Sequence, residues 1–124
     1  MRTLMNKPFA RFVRKNALRA EDLFEAVENA ERGLLAADLG GGIIKQRIAR
    51  SGTGKSGGFR VLIFFRAQGI AIFVHGFAKN EKANIRPDEL KALRKLAGIL
   101  MAYSREEIER AIAAGILMEV TGNV

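Results

Sequence analysis

The sequence predicts an α+β fold in which two N-terminal helices pack on a small antiparallel β-sheet and two further helices close the C-terminal part. Three observations carry this. Between Gly40 and Lys82, β-branched and aromatic residues crowd into three runs punctuated by glycines, which is how consecutive strands read in a sequence. On both sides of that stretch, apolar residues return at three- and four-residue steps, the helical period. The links between the three runs are too short to hold a crossover helix, so the runs form a three-stranded antiparallel meander.

In order along the chain, Met1–Asn6 reads as a short edge strand from Thr3, Leu4 and Met5. Pro8 suits the first turn of a helix whose packing face is Phe9, Phe12 and Val13. A second helix is expected over Glu21–Leu35, with Leu23, Phe24, Val27, Ala30 and Leu34 on its apolar face, and Glu21 and Asp22 placed where the helix dipole favours acids. Gly40, Gly41 and Gly42 then reverse the chain into the strands Ile43–Arg50, Phe59–Arg66 and Ile70–Phe77. The two-residue period puts Lys45, Arg47 and Ala49 on one face of the first strand and Ile44, Gln46 and Ile48 on the other. The middle strand, RVLIFFR, is apolar on both faces and charged only at its ends, so it is expected at the centre of the sheet with both faces covered. Pro87 opens a helix to about Met101, packed through Leu90, Leu93, Leu96, Ala97 and Leu100. Ser104 and Glu107 have capping-box spacing for a last helix, Arg105–Ala114, stopped by Gly115.

A chain of 124 residues is expected to form one domain over 1–124, long enough for a real core. Its formal charge is +8, and the segment Gly40–Lys82 alone carries eight bases against the single acid Glu81, a net +7. The sheet therefore collects nearly all of the excess charge, and the partner it calls for is an anion, nucleic acid first. The absence of cysteine excludes a disulfide framework and a Cys-based zinc site, and a cytoplasmic setting is the natural expectation. No apolar run approaches the roughly 20 residues of a membrane helix, so no membrane partner is expected. Six bases and no acid in the first twenty residues resemble an organellar presequence, but Phe9, Phe12 and Val13 are needed as a packing face.

The stretch Ala49–Ser56 fits a loose phosphate-loop pattern, AxxxxGKS. A nucleotide site of that kind needs a helix directly after the lysine to supply amides and a dipole, and here Gly57, Gly58 and a strand follow. No nucleotide and no other cofactor is expected. What survives is a glycine-rich turn in which Lys55 can meet a phosphodiester. His75, the only histidine, reads first as a packed, hydrogen-bonded residue on one strand face with Phe73 and Phe77, and second as a proton-transfer group. One histidine cannot supply a two-histidine nuclease, and one acid in the segment does not supply a two-metal site. Lys45, Arg47, Arg60 and Lys79 are placed to converge at one side of the meander, with Arg50, Lys55, Lys82 and Arg86 as further phosphate contacts.

Two stretches, K-x-R followed by GxGKxGGxR (Lys45, Arg47, Gly52, Gly54, Lys55, Gly57, Gly58, Arg60) and GFxKNE (Gly76, Phe77, Lys79, Asn80, Glu81) with Asn84 after it, resemble the RelE/HigB-type toxins of bacterial toxin–antitoxin pairs. The resemblance spans nearly the whole chain. It implies a RelE-like fold and a metal-independent endoribonuclease that cleaves messenger RNA in the ribosomal decoding site and is silenced by a cognate antitoxin, often a helix-turn-helix protein. It also implies that Lys45, Arg47 and Arg60 handle the phosphate, with Lys79 the base in the loop after the last strand. Where some relatives carry a second arginine and a tyrosine, this chain has Asn80 and Arg86, which leaves the general base open between Lys45 and Lys79.

The residues support that chemistry on their own terms. RNA cleavage needs the substrate's 2′-hydroxyl in line with the phosphate, a group to take its proton, and cations to stabilise the extra negative charge. Arg60 suits the bidentate role and Arg47 a second clamp. The rival readings are a ParE-like gyrase inhibitor, acting by binding on the same fold, and a non-catalytic nucleic-acid-binding module.

Overall fold

The computed structural model describes residues 1–50, 54–66, 69–79 and 85–122, with backbone alone at 50 and 54–57. Its elements are β1 (Arg2–Asn6), α1 (Lys7–Asn16), α2 (Ala20–Glu31), β2 (Ala37–Gly40), β3 (Ile43–Arg50), β4 (Gly54–Arg66), β5 (Ile70–Ala78), α3 (Pro87–Leu100), α4 (Arg105–Ala113) and β6 (Leu117–Glu119). The fold is α+β and RelE-like, with a mostly antiparallel sheet of order β2-β3-β4-β5-β1-β6 between two pairs of helices. No helix among the described residues is long and apolar enough to cross a membrane.

The expected meander is present as β3-β4-β5, antiparallel throughout. Two corrections concern what surrounds it. The N-terminal strand is not an edge: β1 pairs in parallel with β5 on one side and antiparallel with β6 on the other. Its residues Leu4 and Met5 are buried on opposite faces, as an interior strand requires. The sheet also has six strands rather than three or four, because ADLG and LME join it as short strands with no β-branched run to announce them. β4 starts at Gly54 and not at Phe59, so KSGG is strand rather than loop, and Arg50 pairs with Gly54 across the hairpin. The GKS end of the phosphate-loop look-alike, Gly54 to Ser56, therefore lies on a strand and not at the start of a helix.

Alternation along the central strands sorts the core into two layers. Ile44, Ile48, Val61, Ile63 and Phe73 pack against Phe9, Val13, Leu23 and Val27 of α1 and α2. Ile43, Leu62, Phe64, Ile72 and Val74 pack against Ala97, Leu100 and Ile108 of α3 and α4. Each fully buried Leu, Ile or Phe contributes about 1.5–3 kcal/mol relative to exposure, which explains why β4, covered on both faces, anchors the sheet. Phe9 lies 5.0 Å from Phe73, and Phe12 meets Phe59 edge-on at 5.5 Å. Gly41 (φ 63°) and Gly42 (φ 83°) form the two-residue β2–β3 turn, and positive φ at both positions is what a right-twisting hairpin asks of them.

The second helix ends earlier than expected. Gly33 (φ 78°) donates to the Ala30 carbonyl at 3.0 Å, and Leu34 N–H to the Asn29 carbonyl at 2.8 Å, a Schellman stop. Leu34 thus lies outside the helix and 58 % exposed, and Phe24, placed on the packing face by periodicity, is at the surface as well. Ser104 and Glu107 do form the reciprocal box, at 3.2 and 2.8 Å, and Gly115 repeats the Schellman stop after α4.

Candidate active site

Strand register decides which bases meet. Lys45 of β3 stands opposite Leu62 of β4, which stands opposite His75 of β5; one row along, Arg47 faces Arg60, and Arg60 faces Phe77. Residues directly opposite share a face, so all of these side chains leave the sheet on the side of α3 and α4. The next row carries Lys79, whose N–H donates to the Gly58 carbonyl at 3.1 Å, and Gly58 places no side chain between Lys79 and Arg60. Lys45, Arg47, Arg60 and Lys79 thus come together on neighbouring rows of three strands.

They differ in environment. Arg60 is 6 % exposed, while Lys45 is half-buried and Arg47 and Lys79 are exposed. Burial first, and the neighbouring Arg47 second, lower the Arg60 pKa from its ordinary value, so its charge is held against a cost. Arg60 Nη1 lies 3.4 Å from the Phe59 carbonyl. Arg47 sits where β3 outruns β2, which pairs only as far as Lys45, and borders a cleft of about 330 Å³ beside Asn29, Leu34 and Leu35. The arginine is therefore reachable from the rim of the sheet.

His75 reaches this face by a route the sequence does not show. A β-bulge shifts the β4–β5 register between Leu62 and Ile63, so that Leu62 pairs with His75 while Ile63 pairs with Phe73. The extra residue reverses the alternation. Phe73 goes to the α1 side with Phe9, whereas His75 and Phe77 turn to the basic side with ring centroids 6.0 Å apart. The expectation that Phe73, His75 and Phe77 share a face is corrected accordingly. His75 Nε2 lies 3.9 Å from Glu89 Oε2, in the first turn of α3. A carboxylate from outside the basic segment thus reaches a site read as nearly free of acids.

Glu89 holds a second position at once. Its Oε1 accepts the Arg86 N–H at 3.1 Å, and Arg86 Nε lies 3.3 Å from Asp88 and 3.5 Å from Glu89. Arg86 is thereby committed to the start of α3 and is not gathered with the other four bases. Gln46, between Lys45 and Arg47, is the other residue that sequence reasoning passed over. Buried on the α2 side, it donates to the Ala26 and Leu34 carbonyls at 3.0 and 2.9 Å, which pins β3 to α2 and fixes the strand from which its two basic neighbours project. The signal was there: one amide in the otherwise apolar face Ile44-x-Gln46-x-Ile48. The side chains of Arg50 and Lys55, and all of Lys82, lie outside the described residues. Among the described residues no group of three or more His, Cys, Asp or Glu is placed to hold a metal.

The family model described as the RelE toxin of the RelE/RelB toxin–antitoxin system matches residues 1–120. The chain belongs to the RelE toxin family. Neither a curated protein nor a solved structure matches it. As a RelE-family protein it is the toxin of a toxin–antitoxin pair, and membership implies a cognate antitoxin. The match covers both helix pairs and the whole sheet, so the basic face just described lies inside the RelE region throughout.

Proposed function

We propose that this RelE-family toxin is a metal-independent endoribonuclease, one domain over 1–124, that acts in the bacterial cytoplasm by cleaving messenger RNA on the ribosome and so stops translation. The observation that carries the reading is the cross-strand pair Arg47–Arg60, with Arg60 buried on the central strand and Lys45, Lys79 and His75 on adjacent rows. Two like charges directly opposite each other repel, and an anion placed between them relieves that repulsion.

In the reaction, the 2′-oxygen of the substrate attacks the adjacent phosphorus as the P–O5′ bond breaks, leaving a 2′,3′-cyclic phosphate and a 5′-hydroxyl. Arg60, planar and held by β4, meets two phosphate oxygens as negative charge grows on them, and Arg47 closes from the rim. Lys45 or Lys79 takes the 2′-hydroxyl proton. His75, steadied by Glu89, is placed to give a proton to the departing 5′-oxygen. Only the free amine of a lysine, and not its ammonium, takes that proton, so the rate depends on a host that aligns the RNA, which is what the ribosome supplies.

The test is induction in cells followed by mapping of messenger 5′-ends, with the same cleavage repeated on purified ribosomes in EDTA. Codon-associated cuts with 5′-hydroxyl ends, retained in EDTA, are expected. Growth arrest with intact messenger and a DNA-damage response would instead establish the gyrase-inhibitor reading.

A further inference from the structure

The cleft of about 330 Å³ at the rim of β3 touches the candidate site at one residue, Arg47, and has a lining of its own. It opens where β2 stops pairing at Lys45, beyond which no strand covers the outer edge of β3 among the described residues. Gln46 and Arg47 are adjacent and their side chains leave opposite faces of β3, and at this uncovered rim both line the same space. Asn29, near the end of α2, and Leu34 and Leu35, after the Gly33 stop, complete the lining used here. Leu34 is exposed and Leu35 half-buried, so the apolar wall can be reached from solvent.

A surface cleft is most often only the gap between a loop and a strand. Gln46 sets this one apart, because it is a polar residue only 5 % exposed whose amide is half used. Its Nε2 donates to the carbonyls of Ala26 and Leu34, and an amide end that meets two carbonyls is the NH2 end. Oε1 therefore has a fixed direction; it accepts no hydrogen bond among the described residues, yet it is not sealed from solvent. Asn29 is oriented in the same manner: its Oδ1 accepts from Arg32 Nη2 at 2.5 Å, which leaves Nδ2 to donate. The cleft thus offers one acceptor and one donor, each on a neutral amide held in place. The clefts beside α1 and α4 are lined by no buried polar side chain.

Building on the ribonuclease reading, we propose that this cleft is a base subsite: it takes the nucleobase of the nucleotide whose phosphate Arg47 holds, with Leu34 and Leu35 against the ring and Gln46 Oε1 and Asn29 Nδ2 on its edge. The lining selects this occupant. A cation would need a carboxylate, and no acid lines the cleft. An apolar side chain would leave the Gln46 acceptor unanswered, which is costly for a buried group. A peptide strand laid on the rim of β3 would bond to the backbone of that edge, whereas Gln46 Oε1 is a side-chain acceptor on the α2 face. A nucleobase meets every feature at once. Its flat face suits the leucines, and its edge carries donors and acceptors side by side, the pattern that Asn and Gln amides pair with. The volume lies at the small end of ligand pockets, room for one base and not for a helix or a duplex. Continuity with Arg47 supplies the rest, since the group attached to a phosphate held there must go somewhere along this rim.

The experiment compares, by fluorescence anisotropy with the purified full chain, a short labelled 2′-O-methyl RNA, which cannot be cut, with the same backbone carrying no bases. The intact strand is expected to bind on the order of tenfold more tightly, the discrimination that contacts to one base edge give. In the double variant Asn29→Ala, Leu34→Ala that difference should largely vanish while binding of the abasic strand stays as it was. Arg47→Ala should weaken both strands alike, and Ile99→Ala, at an exposed apolar position on α3, should leave the difference intact. On purified ribosomes the same double variant should flatten the base preference at the nucleotide beside the cut by a similar factor. Equal binding of the two strands by the starting protein, no binding of either, or a folded double variant that keeps the difference would each overturn the proposal. So would a double variant that loses its hold on the antitoxin yet keeps its base dependence, which would assign the cleft to a protein segment. Absence of messenger cleavage by the starting protein refutes the nuclease reading, and it is told apart from failure of the subsite because the strand comparison needs no cut.

Discussion

Replacing Arg60 with methionine separates what this residue does for the fold from what it does for the reaction. Methionine keeps an unbranched chain that fits the same slot and removes the charge. Arg60 is buried, its charged form is disfavoured by burial and then by Arg47, and it stands directly opposite Arg47 across the β3–β4 ladder. A like-charge pair in that position costs about 0.2–1 kcal/mol, and a methionine side chain buried there adds a further few tenths through apolar area at about 25 cal/mol per Å². Against this stand the 3.4 Å contact to the Phe59 carbonyl and the other interactions of Arg60. The opposing terms are each on the order of 1 kcal/mol, so Tm should move by no more than about 3–5 °C for a chain of this size. Cleavage should fall on the order of 100-fold or more, as when one transition-state donor is removed. Arg60→Lys should keep the charge and the fold but lose much of the rate, because an ammonium cannot meet two phosphate oxygens in a plane. Calorimetric melting and ribosome-dependent messenger cleavage are the two assays. A Tm lowered by more than that range would show that the guanidinium is a structural strut, and a folded Arg60→Met protein that still cleaves normally would remove the proposed site.

Gly76→Ala should destabilise by about 1–3 kcal/mol, because a Cβ there would lie 2.6, 2.7 and 2.9 Å from three atoms of the Phe12 ring; a denaturant midpoint unmoved from the starting protein would refute the clash. Since the GKS stretch runs along antiparallel strands, titration calorimetry with ATP and magnesium should show no binding, and micromolar binding abolished by Lys55→Ala would contradict this. Glu107 is held below its ordinary value of 4.5 by the Ser104 N–H, and Glu109 by Arg2, so the stability they add is complete above about pH 4.5 and is lost as pH falls through their lowered folded values; Glu107→Gln with Glu109→Gln should flatten that acid limb, and an unchanged limb would assign it to other groups. The antitoxin, expected to be a helix-turn-helix protein, should cover or distort the basic face, with charge aiding affinity; hydrogen exchange that leaves β3–β5 around Lys45, Arg47, Arg60 and Lys79 unprotected in an undistorted complex would exclude inhibition by occlusion.

Local physics made much of this protein legible in its sequence. Helical period, the Ser104–Glu107 box, the Gly41–Gly42 turn and the alternation that puts Lys45 and Arg47 opposite Ile44 and Ile48 all act within a few residues, and all are found in the structure. The Gly33 stop is local too, and was available from the glycine itself. The concentration of charge in Gly40–Lys82, and with it the anionic partner, needs no coordinates at all. Other features depend on which distant segments meet, and free energy of that kind is not written in any short window. β1 became interior because a three-residue strand from the far end of the chain covers it. Arg47 met Arg60 because the β3–β4 register fell as it did, and a slip of one residue would have sent one of them to the other face. The bulge opposite Leu62 turned His75 toward the bases, and Glu89 arrived from α3, far along the chain. The kinds of side chain at this site were set by composition and pattern; their grouping was set by strand pairing and helix packing, because those alone decide which residues share a face.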